Sequence, residues 1–480
     1  MNVLSIASEV YPLVKTGGLA DVAGALPGAL AAHGVSVRTL MPGYPGVAKR
    51  LKGAKAVAGF DDLFGGKATL LAGKAAGLDL FLLDAPHLFD RPGGPYGDAD
   101  GMDWDDNWRR FAALGRVAAE ISGGMLPRYR PDILHAHDWQ AGLAPAYVRY
   151  GGLPVATVMT VHNIAFQGRF AVNVFPTLGL PDDALSIDGV EYYGGVGFLK
   201  AGLQLADAIT TVSPTYAQEI RTPAFGMGLE GLIRARDEVM HGIANGIDVE
   251  TWNPEADTHL AASYSARSLG KRLANRRALE KRFGIEPSED LLMAVVSRLT
   301  WQKGMDVLVT ALDDMLAMGV RLVVLGSGDR SLEAALQAAA ARHPGRLGVM
   351  TGYNEQLSHL AQGGADAVLV PSRFEPCGLT QLYALRYGCV PIVARTGGLA
   401  DTVIDANEAA LGAGVATGIQ FSPVDPDGLR LAVRRALALH GDRKAWVAMQ
   451  RQGMKADMSW QRSAARYVDL YRSLLSTGNR

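Results

Sequence analysis

The sequence Thr-Gly-Gly-Leu-Ala-Asp occurs twice in this chain of 480 residues, at positions 16–21 and 396–401. Each copy follows a short apolar run typical of a buried strand and precedes a stretch with helical spacing. Paired glycines at such a turn let backbone N–H groups approach an anion at the helix N-terminus. Because a basic residue, Lys15 or Arg395, precedes each copy, we favour two ligand-binding loops over two plain helix-entry turns. The repeat predicts two similar α/β domains that face one charged ligand across a cleft.

Apolar and β-branched runs alternate with longer helical stretches along the whole chain. Alternation of this kind predicts parallel sheets that are covered by helices on both faces. The predicted strands are 3–7, 35–40, 78–83, 133–137, 155–161, 208–212, 240–243, 291–297, 321–325, 348–351, 367–371, 390–394 and 418–421. Residues 53–77 are rich in glycine and alanine and receive no assignment.

A domain boundary is predicted at 244–256, a segment rich in turn-forming residues that follows a predicted strand. A chain of this length is too long for one core and suits two large domains. We expect a first domain over 1–245, a second over 246–457, and a C-terminal helix within 458–480, whose amphipathic pattern is clearest over 460–475.

Charge and cysteine content exclude several classes of protein. The chain carries 47 basic and 48 acidic residues, a formal net charge of −1, so nothing indicates nucleic acid or an anionic membrane as a partner. Its two cysteines, Cys377 and Cys389, imply no disulfide framework. The N-terminus lacks the basic region of a signal peptide, and no window approaches the roughly 18 apolar residues of a membrane span. These features predict a cytoplasmic protein.

Two polar loops follow predicted strands of the second domain, where open parallel sheets bind ligands. Arg298 and Lys303 follow strand 291–297. These cations could neutralise a diphosphate leaving group, or they could be ordinary surface charges at a helix start. In a later loop, Glu375 could accept hydrogen bonds from sugar hydroxyls or only cap a helix, and the backbone N–H groups of 377–380 could face a phosphate.

Histidines in two loops of the first domain are further candidates. His135 and His137 point to the same face of a predicted strand, but no cysteine or carboxylate cluster stands out to complete a metal site. We therefore predict no metal, and Asp138 at the end of that strand is better placed to touch a substrate. His162 follows the next predicted strand and could hydrogen-bond a hydroxyl, donate a proton or only satisfy a turn.

Seven longer strings occur in order along the chain. They are Lys15-Thr-Gly-Gly-Leu-Ala-Asp21-Val, His135-Ala-His-Asp-Trp-Gln-Ala-Gly-Leu, Thr160-Val-His-Asn, Ser213-Pro-Thr-Tyr-Ala, Ser297-Arg-Leu-Thr-x-Gln-Lys-Gly, Pro371-Ser-Arg-Phe-Glu-Pro-Cys-Gly-Leu-Thr-Gln and Arg395-Thr-Gly-Gly-Leu-Ala-Asp-Thr-Val. Together they closely resemble the bacterial glycogen synthases and plant starch synthases, and the match runs from residue 2 to about residue 470.

The resemblance implies a GT-B fold, an α/β architecture of two Rossmann-like domains whose parallel sheets face each other across a deep cleft. In that family the final helix crosses back to the N-terminal domain. The resemblance also implies a retaining glycosyltransferase of glycogen biosynthesis that needs no metal or cofactor. Such an enzyme transfers glucose from ADP-glucose to the non-reducing 4-OH of glycogen or another α-1,4-glucan.

The same resemblance implies roles for individual residues. Arg298 and Lys303 would hold the diphosphate, Glu375 and His162 would contact the glucose, and Tyr353 would stack near the adenine. The catalytic candidates are Lys15, Asp138, His162, Arg298, Lys303 and Glu375. The substrate-binding candidates are Gly17, Gly18, Asp21, Asn163, Asn245, Tyr353, Cys377, Gly378, Leu379 and Thr380.

One position departs from many retaining GT-B enzymes, which carry Glu-x7-Glu. The second position is Tyr383 here, a departure that bacterial glycogen synthases share, so the ribose contact has no assigned residue. Because no carboxylate is placed as a nucleophile, we favour front-face attack in which the leaving phosphate accepts the acceptor's proton. A transient covalent intermediate stays open.

Alternative functions stay open as well. One competing hypothesis is another GT-B activity, such as that of a glucan phosphorylase or a disaccharide synthase. The other is a sensor that binds a sugar nucleotide and has no enzymatic activity. The residues do not distinguish ADP-glucose from UDP-glucose, since either base could stack on Tyr353.

Overall fold

The structure, a computed structural model, describes residues 1–98 and 100–477. The chain forms two compact units. The first comprises Met1–Asn245 together with the segment that begins at Trp460, and the second comprises Gly246–Ser459.

The first unit alternates strands and helices, as its apolar runs predict. Its strands are β1 (Asn2–Ile6), β2 (Ser36–Pro42), β3 (Lys52–Phe60), β4 (Ala68–Ala75), β5 (Leu78–Asp84), β6 (Ile133–His137), β7 (Ala156–Val161), β8 (Arg169–Ala171), β9 (Glu191–Tyr192), β10 (Gly195–Gly197), β11 (Ala208–Thr211) and β12 (Met240–Gly242). Its helices up to Asn245 are α1 (Gly18–Ala31), α2 (Pro45–Ala48), α3 (Pro86–Phe89), α4 (Asn107–Ser122), α5 (Asp138–Ala141), α6 (Leu143–Tyr150), α7 (Phe198–Leu205), α8 (Pro214–Glu219) and α9 (Glu230–Ala235). Short 3-10 helices cover Val172–Thr177, Asp182–Ala184 and Asp237–Val239.

A large sheet forms the centre of the first unit, in the order β12-β11-β7-β6-β1-β2-β5-β4-β3. From β12 to β5 the neighbouring strands pair in parallel. All five residues of β6 are buried, as in a parallel sheet that is covered on both faces. The chain first builds outward from β1 toward β2 and β5, and later from β6 toward β7 and β11. The strand order therefore reverses between β1 and β6.

Residues 53–77, which have no sequence-based assignment, extend this sheet. β3 and β4 form an antiparallel hairpin, and β4 pairs antiparallel with β5. β3 lies at the sheet edge and is mostly exposed. It therefore lacks the buried apolar run by which the other strands are recognised. A separate antiparallel sheet, in the order β8-β10-β9, is also absent from the sequence-based prediction.

The second unit repeats the strand–helix alternation. Its strands are β13 (Leu292–Val296), β14 (Arg321–Gly326), β15 (Leu347–Thr351), β16 (Ala367–Val370), β17 (Val390–Ala394) and β18 (Ile419–Phe421). Its helices are α10 (Arg272–Phe283), α11 (Met305–Ala317), α12 (Arg330–Arg342), α13 (Glu355–Gly364), α14 (Thr380–Tyr387), α15 (Gly397–Thr402), α16 (Glu408–Gly412), α17 (Pro426–Gly441) and α18 (Arg443–Lys455), with a 3-10 helix at Leu269–Lys271. The strands form one parallel sheet in the order β15-β14-β13-β16-β17-β18, so the order reverses between β13 and β16.

The last helix, α19 (Trp460–Thr477), belongs to the first unit and packs against α1. Its buried residues Trp460, Ala464, Tyr467 and Tyr471 are spaced three or four apart. This is the pattern of an amphipathic helix that packs one face on a core. The helix bounds agree with the amphipathic segment predicted from the sequence.

Each unit has its own hydrophobic core. Phe81, Phe111 and Phe198 are buried in the core of the first unit, and Leu308 and Trp446 are buried in the core of the second. Within the two described ranges, no helix combines the length and the apolar content that crossing a membrane requires.

Candidate active site

Three loops of the first unit that carry candidate residues lie at one edge of its sheet. They follow β1, β6 and β7, which are parallel neighbours. The first carries Lys15, the second Asp138 and the third His162. The carboxyl ends of parallel strands meet at one edge, and a reversal of strand order opens a crevice there that commonly binds ligands. The topology thus brings these predicted residues to the same edge.

The loop after β1 is held by a buried glutamate that no sequence motif singles out. Glu9 is 2% exposed, and its carboxylate accepts hydrogen bonds from the Thr16 N–H, the Thr16 hydroxyl at 2.6 Å and the Tyr96 hydroxyl. Burial raises the pKa of Tyr96 well above its ordinary value, and the Glu9 charge raises it further. The Tyr96 phenol therefore stays protonated and donates to Glu9.

Beyond Thr16, this loop leaves its glycines open. Gly17 caps α1 with extended backbone, and a Cβ built on Gly17 or Gly18 would have no described atom within 4 Å. Lys15 forms an ion pair with Asp21 at 2.7 Å and keeps about a third of its side chain exposed. The loop therefore combines a cation with an uncrowded helix N-terminus, which suits an anionic ligand.

The loops after β6 and β7 are joined through Asp138, His137 and His162. Asp138 has a φ of 57°, in the left-handed region that residues other than glycine rarely adopt. Its Oδ1 accepts the backbone N–H of His162 at 2.7 Å and that of Asn163 at 3.4 Å. His137 Nδ1 lies 3.0 Å from His162 Nε2. His162 is thus fixed through both its main chain and its ring.

Burial disfavours the charged form of each of these side chains. It lowers the pKa of His137 to about 3, and together with the nearby His137 it lowers the pKa of His162 well below the ordinary value. It raises the pKa of Asp138 to about 7, although the two backbone hydrogen bonds oppose this shift. Near pH 7 both imidazoles are neutral, so each ring offers one N–H donor and one acceptor nitrogen to its neighbours.

His135 shares a face of β6 with His137 but has no nitrogen to offer a metal. Its Nδ1 lies 2.8 Å from the Tyr471 hydroxyl of α19, and its Nε2 lies 2.6 Å from the Thr160 hydroxyl. Both ring nitrogens therefore have partners inside the unit. Across residues 1–98 and 100–477, no group of three or more His, Cys, Asp and Glu side chains has the arrangement to hold a metal ion.

A pocket of the second unit lies where its strand order reverses, between β13 and β16. It is lined by Val296, Ser297, Lys303, Met305, Leu369, Val370, Pro371, Ser372, Glu375, Gly378, Leu379, Thr380 and Gln381. Among them are five residues predicted to bind the sugar nucleotide, namely Lys303, Glu375, Gly378, Leu379 and Thr380. The two loops predicted from the sequence therefore meet in one pocket.

Lys303 and Glu375 form an ion pair in this pocket. The ammonium lies 2.5 Å from Glu375 Oε2, and the side chains are 16% and 8% exposed. The Ser372 hydroxyl donates to the same carboxylate oxygen at 2.9 Å. Next to Lys303, Gly304 has a φ of 69°, and a Cβ there would lie 2.0 Å from the Pro371 carbonyl oxygen. The ion pair thus depends on a backbone approach that only glycine permits.

Other candidates of the second unit lie outside the pocket lining. Arg298 is exposed in the loop after β13. Tyr353 follows β15 and is 73% exposed, and its hydroxyl donates to Glu355 at 3.0 Å. Cys377 is buried, and its carbonyl oxygen accepts a hydrogen bond from Gln381 Nε2 at 3.0 Å. The structure therefore brings Lys303 and Glu375 together but does not bring Arg298 or Tyr353 into the same pocket.

Two predicted asparagines occupy different settings. Asn163 uses its side-chain oxygen within a turn, where it accepts the Ala165 N–H at 3.1 Å. Asn245, the last residue of the first unit before the second begins, is buried, and its Oδ1 finds no hydrogen-bond partner among the described residues. A buried acceptor of this kind is uncommon in proteins.

The second copy of the hexapeptide does not present Gly398 to a ligand as predicted. The Gly398 N–H donates to the carbonyl oxygens of Glu375 at 3.1 Å and Pro376 at 3.2 Å. A Cβ on Gly398 would lie 2.1 Å from the carbonyl oxygen of Cys377. The prediction that this loop offers its glycine amides to a ligand is therefore wrong for Gly398. Its close backbone approach instead supports the loop that carries Glu375.

Several side chains that shape these sites are missed by reasoning from the sequence. Ser372 stands three residues before Glu375, and this spacing could have indicated a partner for the carboxylate. Glu9 follows the first apolar run closely, which is a weak signal. Tyr96 reaches Glu9 from a loop 87 residues further along the chain, and no local pattern reports such a contact.

The two sites can perform different chemistry. In the second unit, a cation in a largely buried pocket can stabilise negative charge that develops on a leaving group, because such interactions strengthen where water is excluded. In the first unit, neutral imidazoles can exchange hydrogen bonds with hydroxyl groups, and Lys15 with the open turn at Gly17 can attract an anion.

Comparisons with known proteins agree with this geometry. Residues 2–235 match the model of the starch synthase catalytic domain, and residues 277–452 match that of glycosyl transferases group 1. A protein named glycogen synthase from Mesorhizobium japonicum is 61% identical over 477 residues, which are 99% of each chain. Glycogen synthase 1 from Rhizobium meliloti is 62% identical over 480 residues and the full length of both chains.

Solved structures are similar as well. The catalytic domain of Starch Synthase IV from Arabidopsis thaliana, bound to ADP and acarbose, is 31% identical, with a TM-score of 0.89 over 99% of each chain. A sucrose-phosphate synthase from Thermosynechococcus elongatus has a TM-score of 0.61 at 18% identity, which shows a shared fold alone. The predicted GT-B class, with two α/β domains and parallel sheets, is confirmed.

Proposed function

The chain belongs to the family of bacterial glycogen synthases and plant starch synthases, and on that premise we propose that it transfers glucose from ADP-glucose to the non-reducing 4-OH of an α-1,4-glucan. As a member of this family it is a glycosyltransferase. The names of its relatives support glycogen as the product, and the ADP bound to the Arabidopsis starch synthase supports an adenine nucleotide as the leaving group. We place the reaction in the cytoplasm, as the composition predicts.

The observation that carries this proposal is the ion pair between Lys303 and Glu375 in the pocket at the strand reversal of the second unit. A diphosphate gains negative charge as the bond to the sugar breaks, and the Lys303 ammonium counters that charge. The Glu375 carboxylate accepts hydrogen bonds from glucose hydroxyls. Arg298, exposed on the same loop as Lys303, adds a second cation for the phosphates.

The first unit contributes hydrogen bonds to the sugar. His162 is neutral and held in place by Asp138 and His137, so it can bind a glucose hydroxyl without a competing charge. Lys15 and the open turn at Gly17 bind an anionic group of the donor or the end of the acceptor.

We propose that the transfer step proceeds on one face of the glucose. The acceptor 4-OH attacks the anomeric carbon as the bond from that carbon to the diphosphate oxygen breaks. The departing phosphate oxygen takes the proton of the attacking hydroxyl, so the products are ADP and a glucan longer by one glucose. Because attack and departure occur on the same face, the anomeric configuration is retained. Lys303 and Arg298 stabilise the charge on the leaving group as it forms.

The test is nucleotide release from ADP-glucose and from UDP-glucose, each with and without glycogen. We expect ADP release that depends on glycogen, and new linkages that a nuclear magnetic resonance spectrum identifies as α-1,4. A protein that binds ADP-glucose but releases no ADP when glycogen is present would be a sensor, and the proposal would fail. Faster release from UDP-glucose than from ADP-glucose would overturn the donor assignment alone.

A further inference from the structure

A tyrosine at the tip of the small sheet of the first unit adopts an unfavourable backbone conformation. Tyr193 and Gly194 join β9 to β10 and have φ values of 47° and 74°. A two-residue hairpin turn with both φ values positive is the type that favours Asn-Gly. A residue with a Cβ is disfavoured in the left-handed region, and asparagine tolerates that region best. Tyr193 is nevertheless present, and its side chain is 67% exposed.

A second residue with the same conformation adjoins it. Met227 has a φ of 50° and is 38% exposed. Its carbonyl oxygen accepts hydrogen bonds from Gln167 Nε2 at 3.0 Å and from the Tyr192 hydroxyl at 3.4 Å. A Cβ built on Gly228 would lie 3.3 Å from the Tyr193 hydroxyl, so the two strained residues are neighbours. Strained backbone of this kind concentrates at functional sites.

The surface around Tyr193 is firmly anchored. Its ring packs edge-on against Tyr192, with centroids 4.7 Å apart. Arg169 donates to the Tyr193 carbonyl oxygen at 2.6 Å, and Glu191 accepts the Gly194 N–H at 2.7 Å. These two charged side chains therefore bind the backbone of the hairpin. The exposed face is formed by an aromatic ring, a thioether and an amide, none of which is charged.

This surface continues from the loop that carries His162. Phe166 is 51% exposed, and its N–H donates to the Asn163 carbonyl oxygen at 3.2 Å. Gln167, the next residue, reaches Met227. We refer to Phe166, Gln167, Tyr193 and Met227 as the tyrosine platform. It begins in the loop that carries His162, the histidine predicted to bind glucose, and continues to Met227 through the hydrogen bond from Gln167.

We propose that the tyrosine platform binds the α-1,4-glucan acceptor, several glucose units away from the end that receives the new residue. This inference rests on the proposed function. A glucan is uncharged, and its rings present C–H faces bordered by hydroxyls. Aromatic rings and a thioether pack against such faces, while a phenol and an amide bond the hydroxyls. The platform has this composition, and none of its four residues is charged. Long acceptors would reach it, and the shortest would not.

The test replaces Tyr193 by asparagine, which keeps the turn and relieves its strain. Tyr193→Asn should unfold at the same temperature as the wild type or higher. Its affinity for glycogen, measured by co-sedimentation without any sugar nucleotide, should fall by about tenfold. The ratio of its acceptor KM to the wild-type acceptor KM should rise progressively as the acceptor lengthens from maltose to glycogen, whereas the KM for ADP-glucose stays unchanged. Met227→Asn should give a smaller change of the same kind.

A matched control is Leu431→Gln, which removes an apolar side chain that is 59% exposed on α17 of the second unit. This variant should bind glycogen like the wild type. Wild-type glycogen affinity in both Tyr193→Asn and Met227→Asn would overturn the inference. So would a changed elution volume in size-exclusion chromatography with unchanged glycogen affinity, because it would assign the surface to a protein contact. Loss of glycogen binding in Tyr193→Asn, in a chain whose wild type transfers no glucose, would support the platform and refute only the proposed function.

Discussion

The two sheets of this protein reverse their strand order at equivalent points and place opposite chemistry there. Between β1 and β6, burial keeps His162 neutral and raises the pKa of Asp138 to about 7. Between β13 and β16, an ammonium and a carboxylate, Lys303 and Glu375, lie 2.5 Å apart. The shared topology therefore determines where a site forms, whereas the loop residues determine the charge that the site presents.

The two copies of the hexapeptide differ in the same way. In the first copy, no described atom would crowd a side chain added at Gly18, whereas in the second Gly398 packs against the carbonyl oxygen of Cys377. The two copies have the same six residues, but the tertiary structure surrounds them with different neighbours. Four predictions test this contrast between the units, in order of decreasing effect.

The largest effect is expected from the charge of the second unit. Lys303→Ala should lower the rate of glucose transfer by about 10³-fold, because the pocket loses the cation that stabilises the leaving diphosphate. Lys303→Arg, which keeps the charge, should retain more activity. Lys444→Ala, at an exposed lysine of α18 in the same unit, is the matched control and should behave as wild type. Steady-state ADP release measures all three, with circular dichroism to verify folding. Turnover within twofold of wild type in Lys303→Ala would contradict the assignment.

A smaller effect on the rate of transfer is expected from changing His137, which contacts the neutral His162 in the first unit. His137→Ala should lower kcat by about 100-fold, because the His162 ring loses the partner that orients it. His137→Asn places its amide near the position of Nδ1 and should recover part of the rate that His137→Ala loses. His137→Gln places its amide near the position of Nε2, an atom without a hydrogen-bond partner among the described residues. This variant should therefore not restore the rate.

The KM for ADP-glucose should change little in all three His137 variants, since His137 acts through His162. Equal rates in the asparagine and glutamine variants would show that the 3.0 Å contact does not position His162.

Substitutions at matching glycines of the two hexapeptide copies should differ in their effect on the stability of the protein. Gly398→Ala should lower the free energy of unfolding by about 2 kcal/mol, because its Cβ would lie 2.1 Å from the Cys377 carbonyl oxygen. Gly18→Ala should change it by less than about 0.5 kcal/mol, since nothing described lies within 4 Å. Urea unfolding followed by circular dichroism compares the two variants. If Gly18→Ala were the more destabilising, the contrast between the copies would be lost.

The smallest effect concerns pH. The pKa of Asp138 is about 7 in the folded chain and about 4 in an unfolded one. Its contribution to stability is therefore complete below about pH 4 and is lost as the pH rises through 7. Asp138→Asn keeps an acceptor oxygen and tolerates the left-handed backbone. Between pH 6 and 7, wild type should lose more stability than this variant, by about 1 kcal/mol. Urea unfolding at each pH measures both proteins. If the free energy of unfolding changed equally with pH in the wild type and in Asp138→Asn, the raised pKa would be refuted.

Parallel strands with buried apolar runs could be predicted from the sequence, and their ends fall close to the expected positions. β6 occupies residues 133–137 and β17 residues 390–394, as predicted. The exposed edge strand β3 could not be found, because its alanines and glycines carry no burial pattern. Prediction from periodicity depends on burial on at least one face.

The candidate site was harder to derive. The loops that carry Lys303 and Glu375 could be chosen because each polar cluster directly follows a predicted strand. Contacts between residues far apart in the sequence could not be predicted. Examples are the contact of Tyr96 with Glu9 and that of Gly398 with Cys377. They depend on which loops meet, and local sequence does not record that. The catalytic roles stay predictions until the variants are measured.

Helix α19 follows the second unit in the sequence but belongs to the first, and this arrangement affects when the first unit can finish folding. Tyr471 supplies the hydroxyl partner of His135, so the interior beside His137 is complete only after residue 471 has been synthesised. A nascent chain that has just emerged through Asn245 lacks Trp460, Tyr467 and Tyr471, and α1 has an uncovered apolar face. Premature termination anywhere in the second unit would therefore also leave the first unit unfinished.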